Sequence, residues 1–141
     1  MVDQQTGTAE PTERWFCFTP EQAETARQLC EAVIPGSGAV GPEVYLDSDA
    51  ADQPEPLRQA LLEALDGARA ILEGGGSWEQ VAGEPAFDLL RAKAIEAYYS
   101  DFKRPGYDGP SAWDDLDFKS APWAERAKQD WSFLRCYGRT A

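Results

Sequence analysis

Apolar residues recur at helical spacing along most of this chain, and this pattern limits the folds open to it. The clearest run places its apolar side chains on one face of a helix: Leu57, Leu61, Leu65, Ala68 and Leu72. Gly74-Gly75-Gly76 follows and predicts the end of that helix. No stretch alternates with period two over enough residues to indicate a sheet. The sequence therefore predicts an all-α fold.

Helix-start signals divide the pattern into further elements. Thr19 and Gln22 form a capping-box pair around Pro20, and Ser77 and Gln80 form a second pair. Inward faces are predicted after Thr19 and after Pro85, at Ala23, Ala26, Leu29, Cys30 and Val33, and at Phe87, Leu90, Ala94, Ala97 and Tyr98.

Two regions are predicted more coarsely. Pro42 indicates a short helical turn through Leu46, followed by a polar connector over 47–56. Pro122 is placed to start a last helix, on which apolar residues recur at Trp123, Ala127, Trp131 and Leu134. We expect a flexible tail over 1–14. Residues 15–141 should then form one helical domain, a compact bundle of about four to five helices with a long aromatic-rich loop after the penultimate one.

The charge balance excludes several classes of partner. The formal net charge of −12 repels phosphate backbones and anionic lipid, so nucleic acid binding and membrane-surface binding are not expected. No run approaches the roughly 20 apolar residues of a membrane-spanning helix. The N-terminus carries neither a signal peptide nor a twin-arginine motif. We expect a cytoplasmic chain as written, and a periplasmic one if it is a trimmed form.

The inventory of reactive side chains is small. The chain has no histidine, which removes the commonest general base, and neither a phosphate-binding glycine loop nor a CxxC pair occurs. No catalytic, cofactor-binding or metal-binding residue is predicted. Three acidic side chains, Asp114, Asp115 and Asp117, are interpreted as a solvated acidic loop.

The three cysteines, Cys17, Cys30 and Cys136, are widely spaced. Reduced and partly buried thiols are the simplest interpretation. A Cys17–Cys136 or a Cys30–Cys136 bridge is the alternative.

The stretch Ala94–Trp123 is the least regular and the most aromatic part of the chain. Tyr98 falls on the inward face of its helix and is expected in the core, with its hydroxyl reaching a hydrogen-bond partner, whereas Tyr99 falls off that face. A long connection without periodicity is usually functional or disordered, and disordered segments are poor in aromatics. This segment is therefore expected to be ordered against the domain or a partner. Exposed aromatics of this kind are enriched at interface anchor positions.

Four short motifs occur in a recognisable order. Leu29–Gly36 reads LCEAVIPG, Gly41–Asp47 reads GPEVYLD, Ala97–Asp101 reads AYYSD, and Pro105–Tyr107 reads PGY and leads to Trp113. Together they resemble the gluconate 2-dehydrogenase subunit 3 family, the small (gamma) subunits of bacterial flavin-dependent sugar and sugar-acid dehydrogenases. The chain departs from the family pattern in lacking the twin-arginine signal. It also places Phe102-Lys103-Arg104 before the proline that usually follows the tyrosine motif directly.

The resemblance implies a non-catalytic subunit of an oxidoreductase complex. Such a subunit binds, stabilises and helps to mature a large FAD-dependent subunit of the glucose-methanol-choline oxidoreductase type. FAD would then lie in the partner, and a cytochrome would be a candidate electron acceptor. We expect the partner interface at Tyr99, Tyr107, Trp113 and Trp123.

Two other hypotheses remain open. One is a stand-alone helical binding module with a small-molecule pocket under the aromatic loop. The other is a free-standing enzyme that uses a tyrosine or an aspartate as its acid/base group, which the missing histidine and motifs disfavour.

Overall fold

A computed structural model of the chain describes residues 14–117, and this part of the protein is all-α. It contains six α-helices: α1 Pro20–Val33, α2 Pro42–Asp52, α3 Glu55–Glu73, α4 Trp78–Ala82, α5 Phe87–Tyr99 and α6 Ala112–Asp115. A 3₁₀ turn, Ser37–Val40, joins α1 to α2. The all-α prediction is confirmed. The tail, apart from Arg14, and the last helix after Pro122 lie outside the described residues.

Local sequence signals set the bounds of these helices. Thr19 and Gln22 form the capping box that begins α1, and Ser77 and Gln80 form the one that begins α4. The end of α3 is set by Gly75, whose φ of +87° is a backbone conformation that favours glycine. The Gly76 amide then donates to the carbonyl of Ile71 at 2.9 Å, which satisfies one of the last carbonyls of the helix.

The core forms around α1, which packs against α2, α3 and α5. The small side chains of Ala23 and Ala26 allow the neighbouring helices to approach α1 closely. Leu29 and Cys30 fill the space between the helices. The other large core side chains are Leu46, Leu65 and Leu90, each fully buried. Burial of each such side chain stabilises the fold by roughly 1.5–3 kcal/mol.

In α2 and α3 the structure differs from the sequence prediction. α2 continues to Asp52, so most of the expected polar connector is helical. The reason is that Asp47 and Ala50 face inward and are buried, although the run they belong to is polar in composition. Leu57, predicted on the inward face of α3, is 58% exposed because it lies in the first turn, before Leu61, the first residue that α3 buries.

A buried carboxylate fixes the chain that precedes α1. Asp47 is only 2% exposed, and its oxygens accept three backbone hydrogen bonds, from Phe16 at 2.7 Å and from Cys17 and Phe18 at 2.9 Å each. The segment is thereby held across α2, where Phe18 is buried and Trp15 packs against the core. Hydrogen bonds to a charged acceptor are among the stronger ones in proteins.

The cysteines of the described region are free thiols. Burial raises the pKa of Cys30 to about 12. Burial and a hydrogen bond to Asp47 raise the pKa of Cys17 to about 11, and its thiol lies 3.5 Å from the Asp47 carboxylate. Both thiols are therefore protonated and unreactive at neutral pH. Cys136, the other half of either alternative bridge, lies outside the described residues.

We expect Asp47→Ala to lower the free energy of unfolding by about 3 kcal/mol or more, because three backbone N–H groups lose a charged acceptor. Urea unfolding followed by far-ultraviolet circular dichroism measures the loss. Asp52→Ala is the matched control, since it makes the same change at an exposed position of the same helix. That control should cost less than about 0.5 kcal/mol. Equal losses in the two variants would contradict the anchoring role of Asp47.

Candidate partner-binding surface

The aromatic segment after α5 folds back onto the end of that helix. Asp101, with φ of +63°, and Gly106, with φ of +85°, reverse the chain direction. Two hydrogen bonds then tie α6 to the end of α5. The Trp113 indole Nε1 donates to the Tyr99 carbonyl at 2.9 Å, and the Tyr98 hydroxyl donates to the Asp115 carboxylate at 2.7 Å. The segment is therefore ordered by polar contacts as well as by its aromatic rings.

These contacts bring together two of the four residues expected at a partner interface. Tyr99 is 43% exposed, and the side chain of Trp113, half-buried, lies against its backbone. Tyr107 lies in the same segment but turns inward on its own loop, where its hydroxyl donates to the Pro110 carbonyl at 3.1 Å. Trp123, the fourth, lies outside the described residues.

Tyr98 is not the core residue that the helical pattern predicted. It is half-buried, its ring meets Tyr99 edge-on with centroids 5.1 Å apart, and its hydroxyl reaches the surface carboxylate of Asp115. The hydrogen bond to Asp115, together with burial, raises the pKa of Tyr98 to about 12. The helical pattern could not predict this position, because the partner of the hydroxyl belongs to α6, which lies in a stretch without apolar periodicity.

Asp114 and Asp115 of α6 make specific hydrogen bonds, although the sequence predicted only a solvated acidic loop. Asp114 is exposed, but its carboxylate accepts a hydrogen bond from the Ser111 amide at 2.8 Å and so begins α6. Lys103 lies 3.6 Å from the same carboxylate. Asp115 accepts from Tyr98. These carboxylates thus hold the aromatic segment in place.

A second attachment joins the aromatic segment to the start of α2. The Arg104 amide donates to the Val40 carbonyl at 2.7 Å, and the Arg104 side chain crosses directly over Gly41. Gly41 has φ of +73°, and a Cβ at this position would lie 2.6 Å from the Cβ of Arg104. Glu43, 5% exposed, places a carboxylate oxygen 3.9 Å from the guanidinium. Glycine is required here by both the backbone conformation and the close approach.

Tyr45 of α2 connects the same regions through its ring and its hydroxyl. The hydroxyl donates to Glu96 of α5 at 3.1 Å, and the ring meets Phe102 with centroids 6.0 Å apart. Glu96 also pairs with Lys93 at 3.0 Å, and Lys93 pairs with Asp49 at 2.8 Å. Burial and the hydrogen bond to Glu96 raise the pKa of Tyr45. This network fixes the aromatic segment against both α2 and α5.

Between the N-terminal segment and the aromatic segment lies a groove of about 430 Å³ that we call the lead-in groove. Its lining is mainly apolar, with two arginines at its edge: Trp15, Phe16, Val44, Phe102, Pro105, Arg14 and Arg104, together with Asp47 and Ser48. Phe16 is 78% exposed, which is unusual for a phenylalanine. The groove suits an apolar or aromatic side chain with a neighbouring carboxylate.

Sequence reasoning missed this groove. Trp15, Phe16 and Phe18 are apolar residues just before α1, and their local pattern does not separate the exposed Phe16 from the half-buried Trp15 and the buried Phe18. An alternating pattern would place Phe16 and Phe18 on the same face, because they are two positions apart. Their different exposure depends on the hydrogen bonds to Asp47, 31 positions away from Phe16.

Comparison of the chain with models of known protein families, with curated proteins and with solved structures finds no match. Among residues 14–117, no helix is long and apolar enough to cross a bilayer. In the same range, no three side chains of the His, Cys, Asp and Glu types gather as ligands for a metal ion. The family resemblance therefore rests on the four sequence motifs alone.

We expect Gly41→Ala to destabilise the protein more than Gly36→Ala. Both glycines have positive φ, so each substitution carries a backbone cost of about 1 kcal/mol. Only at Gly41 does the new Cβ meet Arg104, whereas the space around Gly36 is open. The additional loss at Gly41, about 1–3 kcal/mol, is measurable by urea unfolding. Equal losses would show that the Arg104 crossing does not constrain the segment.

The pKa of Tyr98 gives a prediction at high pH. Because folding raises this pKa above the ordinary value of about 10, the Tyr98–Asp115 bond stabilises the fold fully below pH 10, and this stabilisation is lost as the pH rises through about 12. NMR of ¹³Cζ-labelled tyrosine at pH 11 should find Tyr98 mostly protonated in the wild type and more ionised in Asp115→Asn, because the largest cause of the raised pKa is removed. Asp108→Asn, an exposed change in the same segment, is the control and should leave the signal unchanged.

Proposed function

We propose that this chain is a non-catalytic small subunit that binds and stabilises a large FAD-dependent dehydrogenase of the glucose-methanol-choline type, acting on a sugar, a polyol or a sugar acid. One observation supports the proposal: the second motif, Gly41–Asp47, lies against the stretch that joins the third motif to the fourth. The Arg104 amide donates a hydrogen bond to the carbonyl of Val40, just before the second motif, and the Tyr45 ring meets that of Phe102. Val44 of the second motif and Pro105 of the fourth line one groove.

This side of the fold has the composition of a protein interface. Exposed Phe16 and Tyr99, with half-buried Trp113, supply aromatic surface, and Arg14 and Arg104 supply guanidinium groups. Aromatic residues and arginine are the residue types enriched at interface anchors. The proposed contact comprises the lead-in groove together with Tyr99, Tyr107 and Trp113, and an obligate contact would bury about 2,000 Å² or more.

In this proposal FAD and the redox chemistry belong to the large subunit, and electrons leave through an acceptor such as a cytochrome. The small subunit acts by mass action. Because it binds the folded state of the large subunit and not the unfolded state, it shifts the large subunit towards its folded, FAD-competent state. The complex is cytoplasmic if the chain functions as written, and periplasmic if it is the trimmed form of an exported chain.

Co-expression with the flavin dehydrogenase encoded next to this chain tests the proposal. The two chains should co-purify on a tag carried by either one, and the FAD content of the large subunit, measured by its absorbance near 450 nm, should fall when the small subunit is omitted. Failure to co-purify, with equal FAD content in the two preparations, would overturn the proposal.

Substitutions locate the contact in the same experiment. Phe16→Ser and Tyr99→Ser should each weaken co-purification by about tenfold or more, because each removes an exposed aromatic anchor. Leu57→Ser is the matched control, since Leu57 is another exposed apolar side chain, at the start of α3. It should have no effect. Loss of binding in all three variants would indicate general destabilisation instead of a local contact.

A stand-alone binding module is the second candidate, and the lead-in groove is the observation that favours it. Its volume of about 430 Å³ is within the range of small-molecule sites. The aromatic segment forms part of the groove lining. Phe16, which also lines the groove, is largely exposed to solvent. This candidate predicts no co-purification and no effect on FAD content, so the experiment above separates the two.

A further inference from the structure

A second groove, which shares no lining residue with the lead-in groove, lies between α3, α4 and α5 and has a volume of about 460 Å³. We call it the α3–α5 groove. Its floor and walls are small or apolar, with representative residues Ala60, Ala64, Gly67, Ile71, Phe87 and Leu90. The small residues of α3 recur at spacings of four and three, and a Cβ added at Gly67 would meet nothing within 4 Å. This face is therefore shaped to receive large side chains from another helix.

Two carboxylates flank the α3–α5 groove from opposite walls. Glu63 belongs to α3, and Glu84 belongs to the turn between α4 and α5. Both residues are exposed. A helix that fits this groove should accordingly carry an apolar stripe with basic side chains on both of its sides.

The segment 118–141 of this chain has that pattern. It contains five Lys or Arg residues and two Asp or Glu residues, whereas the other 117 residues contain eight basic and twenty-three acidic ones. At 100° per residue, the predicted apolar stripe of Trp123, Ala127, Trp131 and Leu134 spans about 80°. On the same projection Arg126 falls on one side of the stripe, with Asp130 between it and the stripe, and Lys128 and Arg135 fall on the other side.

The chain that follows Asp117 is long enough to reach the α3–α5 groove. The described chain ends at Asp117, directly after α6, which is bound to the C-terminal end of α5. The α3–α5 groove meets α5 at Phe87–Leu90, roughly 14–18 Å back along that helix at 1.5 Å per residue. Residues 118–122 can span up to about 17 Å when extended. A helix over 123–134 adds roughly another 18 Å.

We propose that residues 118–141 form an amphipathic helix that docks in the α3–α5 groove of the same chain, with the Trp123–Leu134 stripe on its floor and basic side chains facing Glu63 and Glu84. The tryptophans fill the space above the small residues of α3. The docked helix covers apolar surface that the described elements leave open. This inference does not depend on the proposed partner, because it concerns the isolated chain.

Hydrogen–deuterium exchange on the full-length protein tests the docking. Gly67→Leu places a large side chain in the groove, and this substitution favours α3 itself, because leucine has a higher helix propensity than glycine. The amides of 123–134 should exchange at least about tenfold faster in Gly67→Leu than in the wild type. Gly67→Ala is the matched control, since it improves helix propensity with little added volume, and it should leave that exchange within about threefold.

A charge swap tests the orientation independently. Glu63→Lys with Glu84→Lys should also accelerate exchange over 123–134, and adding Arg126→Glu with Lys128→Glu should restore protection. Three results would overturn the proposal: exchange over 123–134 at unprotected rates in the wild type, protection that Gly67→Leu does not change, or protection that depends on protein concentration, which would assign the groove to a second copy. None of these measurements involves a flavoprotein, so failure here is distinguishable from failure of the proposed function.

Discussion

The arrangement of this protein depends on the carboxylate of Asp47. Buried in α2, it accepts hydrogen bonds from three consecutive amides of the segment before α1. These amides have no helical partners, and leaving them unsatisfied in the interior would be costly. Asp47 therefore decides which side chains of the segment face the core. Phe18 is buried and Phe16 is left exposed beside the lead-in groove.

Hydrogen bonds to the helices also fix the aromatic segment, which lines the same groove. The Arg104 amide donates a hydrogen bond to the Val40 carbonyl. Trp113 and Asp115 of the short helix α6 are hydrogen-bonded to Tyr99 and Tyr98 of α5. Neither segment has the periodicity that would fix it by burial alone, so polar contacts with the helices supply the missing constraint. The candidate surface is accordingly made of two irregular segments held on a rigid scaffold, which is the usual arrangement of binding sites.

The two grooves differ in the chemistry that they present. The lead-in groove carries arginines in a strongly acidic chain, whereas the α3–α5 groove carries glutamates at its walls. The two grooves share no lining residue, and their different charged side chains favour different occupants. This contrast supports an intermolecular contact at the first groove and an intramolecular one at the second, and the two proposals stand on separate observations.

The sequence by itself determined α1, α3, α4 and α5 and most of the core, because helical spacing and capping boxes act over a few residues. The short helix α6 lies in the segment that the sequence predicted as a loop. Thr19, Ser77 and Gly75 mark helix ends in the structure as the pattern predicts, and Leu29, Leu65 and Leu90 are buried as expected. Only the tertiary structure decided the continuation of α2 through Asp47, the outward position of Phe16 and the surface partner of Tyr98. The position of Phe16 and the partner of Tyr98 depend on hydrogen bonds between residues 31 and 17 positions apart. The continuation of α2 depends on the burial of Asp47 and Ala50 against other elements, and no local pattern encodes either kind of contact.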